Sequence, residues 1–307
     1  MPAKPLLIVV GGPTASGKTH MGIELARHYG TEVLSADSRQ FYREMRIGNA
    51  RPTSEELEAV PHHFIADRSL RRPLTAGTYA EEALVLLKAL FQTHHVAVVV
   101  GGSGLYIRSL CRGLDEFPEV TEGAAARVQG LSEEQGLVGL QEELLRLDPD
   151  YYRTVDLQNG RRLERALRVC YASGRAYSSF LGRAAPRPFD CVYLQPAVER
   201  PVLYSRIDSR VDRMLKEGLE AEVRSLEAFR HLPVLQTVGY QEWWPYFDGE
   251  YSKARAIELI KRNSRRYAKR QTTWFREYTP VANVQAAIRL VDEVVGGVDG
   301  PRSGRGT

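Results

Sequence analysis

Two apolar runs organise the first third of the chain. Leu6-Leu-Ile-Val-Val10 and Val96-Ala-Val-Val-Val100 are short, rich in β-branched residues and free of polar interruptions. That is the pattern of strands buried on both faces of a parallel sheet. Glu32-Val-Leu-Ser35 reads as another strand, closed by Ala36-Asp37-Ser38. Between the first two strands the spacing becomes helical from His20 to Tyr29 and stops near Gly30. Strands alternating with helices predict an α/β fold with a parallel sheet. From about Leu114 to Pro188 the strand pattern disappears. Leu137, Leu140, Leu144, Leu145 and Leu147 form one helical stripe, and Leu163, Ala166, Leu167 and Cys170 another; both read as helix core. Pro186 and Pro188 then punctuate the chain, and Cys191-Val-Tyr-Leu194 reads as a returning core strand. The predicted organisation is a core in two parts, 1–114 and 190–295, around a helical insertion at 115–189. The second part reads as helical from Val202 to about Arg276, and the Gly- and Arg-rich 296–307 as a disordered tail.

Composition narrows the class. Of 307 residues 43% are hydrophobic and 26% charged, enough apolar side chain to exclude a wholly disordered chain. No apolar run approaches the roughly 20 residues that span a bilayer, so no membrane partner is expected. The N-terminal run is too short for a signal peptide and leads into a glycine-rich loop. Cys111, Cys170 and Cys191 are widely spaced; they predict neither a disulfide framework nor a metal site and fit a reducing cytoplasm. The net charge of +4 is unevenly placed. Tyr251–Tyr278 holds nine Lys/Arg against two acids, and Arg153–Arg187 eight Arg against two. One such block can be a solvated helix face. Two in one chain predict a surface for a polyanion.

The sharpest motif is Gly12-Pro13-Thr14-Ala15-Ser16-Gly17-Lys18-Thr19, which matches G-x-x-x-x-G-K-[ST] between a strand and a helix. Its glycines let successive N–H groups face one anion at a helix N-terminus. Lys18 adds a point charge, and the Thr19 hydroxyl can ligate Mg²⁺. The loop identifies phosphate, not the reaction. A switch or motor ATPase carries an apolar strand ending in Asp to hold Mg²⁺ and orient water, whereas Val96–Val100 runs into Gly101-Gly102-Ser103. The strand that ends in a carboxylate is the one before Asp37. Asp37 can serve as a base toward an acceptor group, or it can cap a following helix. The catalytic reading is preferred because it abuts the phosphate loop. Group transfer from a phosphate-bearing donor follows. A small-molecule or nucleoside kinase shares the loop and an acceptor-side Asp, with Arg206, Arg210 and Arg213 as a lid, but leaves the basic blocks unexplained. A nucleotide-dependent RNA-binding switch lacks its strand-end Asp. His62 and His63 read as structural or base-adjacent, with no third metal ligand at a usual spacing.

Further motifs resemble one family. Ser35-Ala-Asp-Ser-Arg-Gln-Phe-Tyr42, Ile47-Gly-Asn-Ala-Arg-Pro52, Val60-Pro-His-His63, Val100-Gly-Gly-Ser-Gly-Leu-Tyr106, Arg206-Ile-Asp-Ser-Arg-Val-Asp-Arg-Met214, Val238-Gly-Tyr240 and Tyr267-Ala-Lys-Arg-Gln-Thr-Thr-Trp-Phe-Arg276 follow the phosphate loop in order. The set resembles the tRNA dimethylallyltransferases, or tRNA isopentenyltransferases. That resemblance implies transfer of a dimethylallyl group from dimethylallyl diphosphate to the exocyclic amine of the adenosine 3′ to the anticodon. It implies Mg²⁺ as cofactor and a tRNA anticodon stem-loop as partner, and a monomer is expected. It places Lys18, Thr19 and Arg210 on the diphosphate, Asp37 on the attacking amine, and Ser103, where the family usually has Thr, near the base. Asp37, Ser38, Arg39 and Gln40 would line a flipped adenine in a pocket between core and insertion. Asn159-Gly-Arg161-Arg162-Leu163-Glu164-Arg165 resembles an RNA-contacting segment. Gln236, Gly239 and Tyr240 would form a further loop near the anticodon, with Tyr240 either stacking on a base or lying in the core. The basic helix Lys261–Arg276 would bind backbone phosphate, with Trp274 and Phe275 as packing residues. Arg46 and Arg51 stand where relatives often have Asp and Lys.

Overall fold

The computed structural model describes residues 4–182 and 186–299. Leu6–Gly11 (β1), Val33–Ser35 (β2), His62–His63 (β3), Val96–Gly101 (β4), Asp190–Pro196 (β5) and Thr279–Val281 (β6) form one sheet in the order β3-β2-β4-β1-β5-β6. Every pairing is parallel; β1 runs Leu6 to Gly11 against Val96 to Gly101 of β4. The helices are Lys18–His28 (α1), Ser54–Ala59 (α2), Ala76–Leu90 (α3), Gly104–Arg112 (α4), Glu122–Leu147 (α5), Pro149–Tyr152 (α6), Gly160–Ser173 (α7), Arg200–Lys216 (α8), Leu219–Ser225 (α9), Trp244–Phe247 (α10), Lys253–Trp274 (α11) and Val284–Asp299 (α12). The architecture is the P-loop NTPase-like fold.

The period-two geometry of the strands explains why their sequences are apolar throughout. Leu7 and Val9, with Leu34, Ala97 and Val99, face one core that includes Phe41, Tyr79 and Ile107. Leu6, Ile8 and Val10, with Val33, Val96, Val98 and Val100, face the other, against Met21, Ile23 and Leu25 of α1 and Ala287 and Val291 of α12. A strand buried on both faces has no position for a polar side chain, so the polar chemistry collects at its end.

The chain divides into two compact units: Met1–Cys111 with Arg187–Thr307, and Arg112–Pro186. The second is helical. Its core joins Val128, Leu140 and Leu144 of α5 to Leu163, Ala166, Leu167 and Cys170 of α7. α5 is broken at Gly136, whose φ is 59°. Buried Asp148 ties the end of this unit together: it caps α6 through Tyr151 N–H at 3.0 Å and accepts from Ser178 N–H at 2.6 Å.

Three features depart from the sequence pattern. β3 and β6 were not predicted; at two and three residues, beside Pro61 and containing Pro280, they are too short to show a period. The stretch from Val202 to Arg276 is not one helical run. Pro233, Gly239 and Gly249 divide α9, α10 and α11 with 3₁₀ turns at Glu227–Phe229 and Pro233–Leu235. At the C-terminus α12 continues through Asp299, four residues into the segment read as a disordered tail, because helical spacing persists from Val291 to Val295; 300–307 lie outside the described residues.

Candidate active site

The phosphate loop leaves β1 and enters α1 as the motif requires. Gly17 sits at φ 93° immediately before Lys18, and Ala15 holds φ 65°, a conformation that L side chains rarely adopt. Strain of this kind is maintained where a loop must present its N–H groups inward. The Lys18 ammonium donates to Pro13 O at 3.3 Å. Arg210, from α8, donates to Thr14 Oγ1 at 3.1 Å. Over these residues opens a cavity of about 1010 Å³, bounded by Lys18, Thr19, Asp37, Gln40, Arg51 and Arg210. A second, of about 60 Å³, shares Thr14, Asp37 and Arg210 and is flanked by apolar Ile207, Val211 and Ile260.

The electrostatics favour an anion. Burial lowers the Lys18 ammonium from its ordinary 10.5 to about 8; Asp37 opposes the drop, and Arg210 and Arg39 add to it. Burial also lowers Arg210, with Arg213 adding and Asp37 opposing. Two half-buried cations share one nearby carboxylate, so a bound diphosphate relieves a repulsion that exists without it. The Thr19 hydroxyl lines the same cavity and makes no hydrogen bond among the described residues. With phosphate oxygens it offers the hard oxygen donors that suit Mg²⁺.

Asp37 follows β2. It caps no helix: residues 38–40 form a turn, and Asp37 Oδ1 accepts Arg39 N–H at 3.2 Å. Oδ2 has no hydrogen-bond partner among the described residues, and Asp37 borders both cavities. Ser103 holds this turn in place: its Oγ accepts Ser38 N–H at 2.9 Å and donates to Ser38 Oγ at 3.0 Å. Arg39 donates to Val238 O at 3.2 Å and stacks on Tyr267 at 4.6 Å. Gln40 gives its amide to Ala50 O at 3.1 Å, fixing the cavity wall.

Two residues outside the predicted set organise the site. Gln271 of α11 accepts Thr14 N–H and donates to Gly102 O, both at 2.9 Å, so one buried amide joins the phosphate loop to the end of β4. Its place in the Tyr267–Arg276 motif was the available signal. Glu222 of α9 accepts the N–H groups of Arg46 (2.9 Å), Ile47 (2.6 Å) and Gly48 (3.0 Å) and the Tyr240 hydroxyl (2.7 Å). Nothing in its own sequence surroundings marks it.

Other predicted residues lie elsewhere. Tyr240 is fully buried, and burial raises its hydroxyl with Glu222 beside it; it is core and offers no ring to a base. Gly239 N–H bonds buried Glu242 at 2.8 Å, and exposed Gln236 donates to Arg230 O at 2.5 Å. In the helical unit Arg161, Arg162 and Arg165 are exposed, Glu164 pairs with Arg168 at 3.3 Å, and Leu163 is fully buried, so Leu163 presents no surface to RNA. Arg165 lies 5.2 Å from the Phe117 ring. In α11, Lys261 and Arg265 pair with Asp212 and Asp208 of α8, each at 2.5 Å, whereas Arg262, Arg266, Lys269 and Arg270 form no ion pair among the described residues. Phe275 is buried; Trp274 packs against Gly104, as its predicted role requires, but remains 45% exposed. His62 donates Nδ1–H to Val60 O at 2.8 Å, and burial lowers its pKa; His63 pairs with Glu32 at 2.5 Å. No group of three or more His, Cys, Asp or Glu able to hold a metal occurs among the described residues.

A P-loop whose central strand ends in glycine, faced by a carboxylate from the next strand, defines a transferase that takes a phosphate-bearing donor. The family model described as IPP transferase matches residues 40–278. The chain is 46% identical to the tRNA dimethylallyltransferase of Christiangramia forsetii over 88% of this chain and 90% of that one. It is 44% identical to tRNA dimethylallyltransferase 2 of Porphyromonas gingivalis, over 93% and 97%. Among solved structures it is similar to the tRNA isopentenylpyrophosphate transferase of Bacillus halodurans, at 32% identity and TM-score 0.69 over 96% and 97%. A eukaryotic dimethylallyltransferase acting on tRNA shares the fold, with TM-score 0.81 at 22% identity over 98% of this chain and 81% of that one. The chain belongs to the IPP transferase family.

Proposed function

We propose that the protein transfers a dimethylallyl group from dimethylallyl diphosphate to the exocyclic amine of the adenosine 3′ to the anticodon of tRNA, releasing diphosphate. The observation that carries this reading is the uncommitted Oδ2 of Asp37 in the same cavity as Lys18 and Arg210. Family membership supplies the donor and the acceptor.

The bond between the amine nitrogen and the prenyl carbon forms as the bond from that carbon to the diphosphate oxygen breaks. Charge grows on the leaving diphosphate, where Lys18, Arg210 and the loop N–H groups stabilise it. Ile207, Val211 and Met214 give the hydrocarbon an apolar wall. The proton lost by the amine passes to the Asp37 carboxylate. The amine is a weak nucleophile, so holding it in line matters as much as removing its proton. Ser103, acting through Ser38, keeps Asp37 in place. Mg²⁺, when bound, neutralises diphosphate charge, and the Thr19 hydroxyl is the protein ligand for it. Arg161, Arg162 and Arg165 contact tRNA phosphates, and the protein acts as a cytoplasmic monomer.

The test supplies labelled dimethylallyl diphosphate or γ-labelled ATP, with an anticodon stem-loop RNA, in Mg²⁺ or EDTA. The expected product is prenylated RNA from the first donor, in Mg²⁺ only. Label passing from ATP to a small acceptor, with no prenylated RNA by mass spectrometry, overturns the reading in favour of a kinase.

A further inference from the structure

Of the three tryptophans, Trp243 and Trp244 are buried at 0% and 6% exposure, whereas Trp274 is 45% exposed. Its indole rests against Gly104, the first residue of α4. A Cβ at that position would lie 1.9 Å from the indole Nε1, so the ring in this position requires glycine beneath it. The Arg108 guanidinium, one turn further along α4, lies 5.8 Å from the ring centroid. Trp274 is therefore seated on one side and open on the other, an aromatic face held in place beside a guanidinium.

Charge and position indicate what covers it. Arg266, Arg270 and Trp274 recur every four residues and so share one face of α11, while Ala268, Gln271 and Phe275 are buried. Arg108, Arg266, Lys269 and Arg270 are exposed and form no ion pair among the described residues. The patch also adjoins the acceptor side of the site. Gln271, less than one turn before Trp274, holds Gly102 O; Ser103 follows, fastened to Ser38 beside Asp37; Gly104 comes next, under the indole.

We infer that Trp274 is a stacking platform for an unpaired nucleobase immediately flanking the target adenosine, with Arg108 and Arg270 on the adjoining phosphates. This rests on the tRNA prenylation reading and adds a subsite to it. A base that leaves its stack to enter the cavity unstacks its neighbours, and an aromatic face at the rim restores one of those contacts. Every base has a π face, so the platform adds affinity without adding sequence preference.

The experiment measures binding of an anticodon stem-loop RNA, and of two versions with an abasic nucleotide on either side of the target adenosine, to wild type, Trp274→Ala and Trp274→Phe. Base–aromatic stacking is worth roughly tenfold to a hundredfold in affinity. Trp274→Ala is expected to lose that factor on the intact RNA and Trp274→Phe much less. Neither variant should shift the donor dissociation constant, because Trp274 lies outside the donor cavity. Abasic substitution on one side should cost wild type a similar factor and cost Trp274→Ala nothing more. RNA should quench the fluorescence of wild type and not that of Trp274→Ala. Binding of Trp274→Ala within twofold of wild type, or losses that add fully for both abasic RNAs, overturns the platform while wild-type prenylation upholds the reaction. If Trp274→Ala misfolds, full additivity with Trp274→Phe overturns it equally. A wild-type dimer that Trp274→Ala dissociates would assign the patch to a second copy of the chain. If wild type itself neither binds nor prenylates the RNA, the functional reading falls first.

Discussion

Raising the pH tests the charge on the phosphate loop directly. Lys18 is lowered from 10.5 to about 8, chiefly by burial. At about 1.36 kcal/mol per pH unit, its protonated form is disfavoured by roughly 3 kcal/mol, less whatever water reaching the half-buried ammonium returns. The unfolded chain therefore binds more protons than the folded one between about pH 8 and 10.5. This lysine's contribution to stability rises with pH across that window and is a constant deficit below it. Donor binding has the opposite dependence, because a diphosphate needs the ammonium. Phosphate oxygens that titrate do so near pH 6, so above pH 7 the donor's own charge is constant. One unit above the Lys18 pKa about a tenth of the protein carries the proton, and donor affinity should fall about tenfold between pH 7 and 9. Bound diphosphate pulls the pKa back up. The inflection should therefore appear near 8 in kcat/KM and at higher pH in kcat. The assay is donor dissociation by equilibrium dialysis, with single-turnover prenylation of the stem-loop alongside. Lys18→Arg keeps its charge throughout and should lose the inflection. Lys18→Ala should bind weakly at every pH. A wild-type donor dissociation constant that is flat from pH 7 to 9.5 would refute the placement of Lys18 on the diphosphate.

Three substitutions probe the remaining parts. Asp37→Asn keeps an acceptor for Arg39 N–H and should melt like wild type and bind both substrates, yet slow the chemical step roughly 10²- to 10⁴-fold; a near-wild-type single-turnover rate removes Asp37 as the base. Gln271→Ala strands Thr14 N–H and Gly102 O, at about 1–3 kcal/mol for unsatisfied buried groups, and should lower Tm and raise the donor KM together; an unchanged melting curve would show that the bridge is dispensable. Replacing Arg161, Arg162 and Arg165 by Ala should reduce the slope of log K for RNA against log salt by about 0.7 to 0.9 for each lost phosphate contact. The donor dissociation constant should stay the same; an unaltered slope would mean that these arginines face only solvent.

What could be read in advance followed from periodicity and from one dense motif. The runs at Leu6–Val10 and Val96–Val100 are strands because a strand covered on both faces leaves no alternative pattern, and the loop between Gly12 and Thr19 follows from its glycines and its helix. The position of Asp37 was legible because it closely follows a strand. The rest depended on partners distant in sequence. Glu222 meets Arg46, Ile47 and Gly48 only after α9 packs beside them, and an isolated Glu in a helix gives no sign of that. Tyr240 could have been surface or core; the choice came from the same carboxylate, which gives its hydroxyl a partner inside. Trp274 and Phe275 are adjacent and equally apolar, and the end of α11 separates them: Trp274 is its last residue and stays 45% exposed, whereas Phe275, the capping residue, turns into the core. The clearance at Gly104 that seats the indole belongs to a different helix altogether.

The sheet order explains how this site favours transfer to an amine over transfer to water. In the order β2-β4-β1, β4 separates the strand that leads to the phosphate loop from the strand that leads to Asp37. Neighbouring strands lie about 4.8 Å apart, so the two loops are centred roughly 10 Å apart, with the end of β4 between them. A carboxylate at that middle position would sit against the phosphates, where it could orient water, as it does in enzymes that hydrolyse nucleotides. Here the position is Gly101-Gly102-Ser103, whose carbonyl and hydroxyl are engaged by Gln271 and Ser38. Asp37, the carboxylate that follows a strand end at the cavity, is displaced by a strand from the phosphate loop, on the far side of whatever lies over β4. A nucleophile reaching Asp37 must then extend from that side across the middle strand. An adenine held by its own chain can do so in a fixed direction, and a water molecule has nothing comparable to hold it there. Glu222 and Gln40 brace the wall formed by residues 46–50, so the geometry exists before either substrate arrives and no binding free energy is diverted to assembling it.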